Sequence, residues 1–171
     1  MKKLYGVTGW KNAGKTGLME RLVAEITGRG LSVSTIKHAH HAFDVDQPGK
    51  DSFRHREAGA SEVLISSGAR WALMAELRDA EEPPLAELVE KLSPVDLVLV
   101  EGYKSEGHGK VEAWRAAAGH DLIAPRDPLI RAVAADAPLP QAVDVPVFDL
   151  NDTKTIADFV LAEVGLLKAP A

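Results

Sequence analysis

Gly9-Trp10-Lys11-Asn12-Ala13-Gly14-Lys15-Thr16 fills every position of the pattern G-x-x-x-x-G-K-[ST]. It lies between an apolar run, Leu4, Tyr5 and Val7, and a stretch of helical period in which Leu18, Leu22, Val23 and Ile26 share one face. Strand, glycine-rich loop and helix in that order make a phosphate loop. The glycines let the chain curl so that successive N–H groups point inward, where they and the helix N-terminus take phosphate oxygens. Lys15 would reach the β- and γ-phosphates of a nucleotide, and the Thr16 hydroxyl would complete the coordination of Mg²⁺. The residues expected on the nucleotide here are Gly9, Lys11, Asn12, Ala13, Gly14, Lys15, Thr16 and Gly17. A glycine-rich turn that merely joins strand to helix is the bland alternative.

Outward from the loop, Gly28 and Gly30 end the helix and 31–36 returns to a strand-like pattern, which gives a βαβ unit with parallel strands. A helix is expected from Pro48-Gly49 through Ala58, then strands at 62–66 and 71–77 around the turn Ser67-Gly68. Leu85, Leu88, Val89 and Leu92 make a helical stripe, and 95–100, 111–114, 130–134 and 145–148 read as strands. Ile156, Phe159, Val160 and Val164 share a face of a final helix. The fold class is α/β: a three-layer P-loop NTPase fold, its largely parallel sheet flanked by helices, with some antiparallel strands in the middle.

Composition narrows the function classes. A length of 171 residues with 46% hydrophobic side chains fits a single domain, 1–171, whose last few residues are expected to be disordered. A net charge of −5 argues against a general nucleic-acid binder. There is no Cys for a disulfide or thiolate site, the opening MKKLYGVTG is too short and polar for a signal peptide, and no apolar run approaches a membrane span. These features together point to the cytoplasm.

Asp96-Leu97-Val98-Leu99-Val100-Glu101 is an apolar strand ending in a carboxylate, as a Walker-B-type element requires near Mg²⁺. Glu101 could hold a metal-bound water, orient an attacking one, or be a solvated strand end. The polar stretch after the second strand holds His38, His40, His41, Asp44, Asp46, Lys50, Asp51, Arg54 and His55. On a helix Lys50 and Arg54 share one face and Asp51 and His55 another, which suits either an anion site that responds to the γ-phosphate or a solvated face with ion pairs. A structural metal is disfavoured, because no Cys completes a zinc set. The usual guanine-reading N/T-K-x-D is missing, since Thr153-Lys154-Thr155 is followed by Ile156. Pro125-Arg126-Asp127 and Asn151-Asp152 are the substitutes, and Asn151-Asp152 reads equally well as a helix cap.

In sequence order GWKNAGKT, TIKHAHH, DQPGKDSFRHREAGA, DLVLVEGYK, KVEAWR and FDLNDTKTIADF closely resemble the MobB family. The resemblance implies a dimeric protein that binds GTP and Mg²⁺, with weak GTPase activity. It implies work beside a MobA-type guanylyltransferase that joins GMP to molybdopterin, with the molybdopterin cofactor or its apo-enzyme as a further partner. No arginine finger or water-orienting Gln can be assigned from the residues, so slow turnover is expected. The rival reading is an ATP- or GTP-dependent small-molecule kinase or ligase.

Overall fold

Each change of hydrophobic period in the sequence marks an element in the computed structural model, which describes residues 2–39 and 43–167. The expectations for His40, His41 and the chain's last residues lie outside that range. The chain divides into two compact units, one of Met1–His38 with Leu85–Ala171 and the other of Ala39–Pro84.

The first unit is built on a six-stranded sheet. Its strands are β1 (Leu4–Thr8), β2 (Val33–Lys37), β5 (Leu97–Glu101), β6 (Lys110–Trp114), β7 (Ile130–Ala135) and β8 (Val147–Asp149), and its helices are α1 (Lys15–Gly28), α3 (Leu85–Glu90) and α4 (Thr153–Glu163). The order is β2-β5-β1-β6-β7-β8, and every pairing is parallel. Parallel strands covered on both faces read as unbroken apolar runs, and β5 is buried at every position. Alternation along β5 sorts its side chains into two layers. Leu97 and Leu99 join Tyr5 and Val7 against Leu18, Leu22 and Ile26 of α1 and Ile156, Val160 and Leu161 of α4. Val98 and Val100 face the other way, against Leu85 and Val89 of α3. This gives the helix–sheet–helix layering.

Strand starts differ from the sequence reading at β2 and β5 for one local reason. Ser32 donates from its backbone N and its hydroxyl to Asp96 Oδ2, at 2.7 and 2.6 Å, and Asp96 N donates back to Ser32 Oγ at 2.9 Å. This reciprocal lock occupies both strand entries, so the ladder opens at Val33 opposite Leu97. At β8 the expected start at Val145 moves to Val147, because Pro146 has no N–H to donate.

The second unit holds α2 (Asp51–Glu57), β3 (Glu62–Ser66) and β4 (Trp71–Ala75). β3 and β4 form the expected antiparallel hairpin, with Leu64 opposite Leu73 and Ser66 opposite Trp71. Arg56 ties this unit together, donating to Asp46, to Asp44 at 3.0 Å and to Glu76 at 2.9 Å. Among the described residues no helix is long and apolar enough to cross a membrane.

Candidate functional site

β1 lies between β5 and β6, and from it the chain first runs to one side of the sheet, for β2 and β5, and then to the other, for β6 through β8. The loop leaving β1 therefore opens where the winding reverses, the place where parallel α/β sheets present ligand sites. Its backbone takes left-handed φ values at Asn12 (64°) and Gly14 (93°). Gly9 is forced: a Cβ there would lie 2.4 Å from the carbonyl oxygen of Ala113 on β6.

The loop is held by its own groups and by neighbouring loops. Ala13 N donates to Trp10 O at 3.2 Å, and Leu18 N to Gly14 O at 3.0 Å starts α1. Lys15 Nζ donates to Trp10 O at 2.7 Å. Burial pushes the Lys15 ammonium below its ordinary range; Glu101 opposes the shift, and the positive charges of Lys104 and Lys37 add to it. A desolvated cation among cations gains by meeting a polyanion. The Trp10 indole N–H donates to Asp121 O at 2.8 Å, and Lys104 Nζ lies 3.8 Å from the Trp10 ring centroid. The loops after β5 and β6 are thereby fastened to the phosphate loop.

On the β5 side stands Glu101, only 8% exposed. Its Oε1 accepts from Thr16 Oγ1 at 3.3 Å and is 3.5 Å from Lys37 Nζ. Gly102 follows with φ 92° and donates to Val7 O at 3.2 Å, which draws the end of β5 against β1. Hydroxyl and carboxylate oxygens side by side are the hard donors Mg²⁺ prefers, and a site of this kind takes its remaining ligands from water and phosphate. Among the described residues no three His, Asp or Glu side chains converge as a metal site, so such an ion would depend on a bound phosphate.

An open cleft of about 570 Å³ is lined by Asn12, Gly14, Lys15, Thr16, Gly17 and Arg115. That volume falls within the range of about 300–1,000 Å³ usual for small-ligand sites. Arg115 was not singled out from the sequence. The signal for it was an arginine one residue past an apolar strand, and it becomes meaningful only once β6 is known to pair with β1.

The other expected site residues are distributed as follows. Lys11 is exposed beside the cleft without lining it. Lys50, Asp51 and Arg54 belong to the second unit, with Lys50 at the N-cap position of α2 but making no side-chain cap bond, Asp51 in its first turn and Arg54 in its last. Asp152 caps α4, its Oδ1 accepting from Thr155 N at 3.1 Å and its Oδ2 from Thr155 Oγ1 at 2.6 Å. These bonds hold its carboxyl below the usual carboxylate range. Asn151 N donates to Asp149 Oδ1 at 2.8 Å. Arg21 of α1 donates to Leu150 O at 2.7 Å and Thr153 Oγ1 at 3.0 Å, which fastens this loop to α1. Asp127 accepts from Leu129 N at 2.9 Å, and Arg126 pairs with Asp121 at 3.5 Å on the surface.

A parallel α/β sheet with a complete phosphate loop at its reversal point, and a carboxylate facing that loop's threonine, defines a protein of the P-loop class. The family model described as molybdopterin guanine dinucleotide synthesis protein B matches residues 4–136. The molybdopterin-guanine dinucleotide biosynthesis adapter protein of Escherichia coli strain K12 is 42% identical over 166 residues, covering 94% of this chain and 93% of that protein. Its counterpart from Haemophilus influenzae is 40% identical, covering 92% and 86%. The crystal structure of a MobB protein homologue from Bacillus stearothermophilus superposes with a TM-score of 0.68 at 30% identity, covering 96% of this chain and 99% of that one. The chain belongs to the MobB family.

Proposed function

We propose that this chain is a cytoplasmic GTP-binding adapter with slow GTPase activity, working beside a MobA-type guanylyltransferase as GMP is joined to molybdopterin. The adapter role comes from its relatives, which carry that description at 42% and 40% identity. The observation that carries nucleotide binding is the complete phosphate loop at the head of α1, with Lys15 half-buried in it and Thr16 bonded to Glu101. Thr16 and Glu101 would hold Mg²⁺, which supplies charge neutralisation at the phosphates. Lys15 binds the β- and γ-phosphates, and Glu101 orients the water that converts GTP to GDP and phosphate. Guanine preference rests on the family alone.

The protein acts as a homodimer in this reading. Leu64, Trp71 and Leu73 share one face of the β3–β4 hairpin and are 60%, 66% and 48% exposed. Side chains of this size clustered on one hairpin face favour a partner surface, and a second copy supplies a matching one. Calorimetric titration of GTP and ATP in Mg²⁺ tests the nucleotide assignment. The expected result is GTP bound at least about tenfold more tightly, a difference of about 1.4 kcal/mol. Equal dissociation constants would remove guanine from the proposal.

A further inference from the structure

We propose that Arg115 is a phosphate-binding residue of the cleft, clamping the α- and β-phosphates of the nucleotide from the β6 side; this rests on the nucleotide reading above. β6 pairs in parallel with β1, Val7 opposite Val111 and Thr8 opposite Glu112, so Arg115, directly after Trp114, leaves the sheet at the edge where the phosphate loop leaves β1. Its Nε would lie only 2.9 Å from a Cβ on Gly14. Glycine at 14 permits the left-handed turn, and the guanidinium of Arg115 lies directly against it.

The backbone that carries this side chain is pinned, while the side chain is not. Ala116 N donates to Asp136 Oδ1 at 3.0 Å, Asp136 N to Trp114 O at 3.3 Å, and Ala118 N to Arg115 O at 3.1 Å. Trp114 is buried, its indole N–H on His120 O at 2.9 Å. The Arg115 guanidinium itself makes no hydrogen bond or ion pair among the described residues. Arg21 also stands near this end of α1, but its guanidinium is engaged by Leu150 and Thr153. A planar fork of N–H donors carried on a pinned backbone at the rim of a phosphate loop, with its donors unspent, is matched to phosphate oxygens.

Sheet order decides which phosphates. Glu101 and Lys37 approach from the β5 side of β1, where the Thr16 hydroxyl points; Arg115 approaches from the opposite, β6 side. In a loop of this kind Lys and Thr serve the terminal phosphate and the metal, and the backbone N–H groups serve the α- and β-phosphates. Arg115 shares the cleft with Lys15 and Thr16 as well as with Gly14 and Gly17, but it lies against Gly14 and on the side of β1 away from Glu101, which sets it with the backbone groups of the α- and β-phosphates. The contact is thus made in the ground state and is common to di- and triphosphate.

The test measures dissociation constants for GDP and GTP in Mg²⁺ by calorimetry on the parent, Arg115→Lys and Arg115→Ala. Arg115→Ala should weaken GDP and GTP by the same factor, about tenfold, and Arg115→Lys by about threefold. Unchanged affinities in Arg115→Ala, with the parent binding normally, would overturn the assignment and leave the nucleotide reading standing. A loss confined to GTP would also overturn it by placing the arginine on the γ-phosphate. A parent that binds neither nucleotide would remove the nucleotide reading and this inference together.

Discussion

At the scale of single residues, the phosphate loop was legible because its chemistry is local: eight consecutive positions specify both the turn and the contacts. Glu101 was legible as the end of an apolar strand, but its partners Thr16 and Lys37 come from two other elements. Glu101→Gln keeps size and removes charge, so it should leave GTP bound while lowering hydrolysis at least about tenfold. Hydrolysis at the parent rate in saturating Mg²⁺ would make Glu101 only a buried strand end. Asp152 had two readings, and its side chain is engaged by Thr155 as a cap. His108 gave no sequence signal. Its Nε2 is buried without a partner and lies 2.6 Å from where a Cβ on Gly6 would sit. Burial pushes its pKa down from 6.5 to about 4, with the Lys110 ammonium adding to the shift and Asp127 opposing it. Between those values the unfolded chain binds more protons than the folded one, so stability falls as pH drops through that window. In urea unfolding at pH 7 and pH 4.5, His108→Gln should lose less stability on acidification than the parent. An identical loss in both would mean that another group governs acid sensitivity.

At the scale of elements, the periodicities located the eight strands and four α-helices of the described residues; α2 begins at Asp51 rather than at Pro48-Gly49 and β4 ends at Ala75 rather than at Leu77, while the late starts of β2, β5 and β8 have local causes. The Ser32–Asp96 lock that delays β2 and β5 joins residues 64 positions apart, which no window of local sequence contains. The polar stretch after β2 is partly explained by Arg56, a residue the sequence reading passed over, which gathers Asp44, Asp46 and Glu76. These two aspartates are thus occupied within their own unit. The hairpin was read correctly as antiparallel, yet its exposed apolar face was not foreseen, because alternation shows which residues share a face but not what covers it. Leu73→Glu places a charge on that face at a position already 48% exposed in the chain. Light scattering should then give a dimer for the parent and a monomer for the variant. A monomeric parent, or a variant that remains dimeric, would remove the hairpin from the interface.

At the scale of the molecule, the cleft is a product of sheet order. The sequence supplied the strands, and only their arrangement β5-β1-β6 brings Glu101 to one side of the phosphate loop and Arg115 to the other. Parallel order could not be read from hydrophobic pattern, since buried parallel strands look alike wherever they sit in the sheet. Lys15, Thr16 and Glu101 could be proposed as a group because two local patterns, the phosphate loop and the apolar strand ending in a carboxylate, mark them, and no such pattern marks Arg115. The proposed function depends on the cleft binding a nucleoside triphosphate through Lys15. The most direct measurement is calorimetric titration of GTP in Mg²⁺ into the parent and into Lys15→Ala, with circular dichroism to establish that both are folded. Loss of a charge-assisted contact worth about 1.5–3 kcal/mol predicts affinity weakened at least about tenfold in the variant. Equal affinity in the two folded proteins would contradict the account.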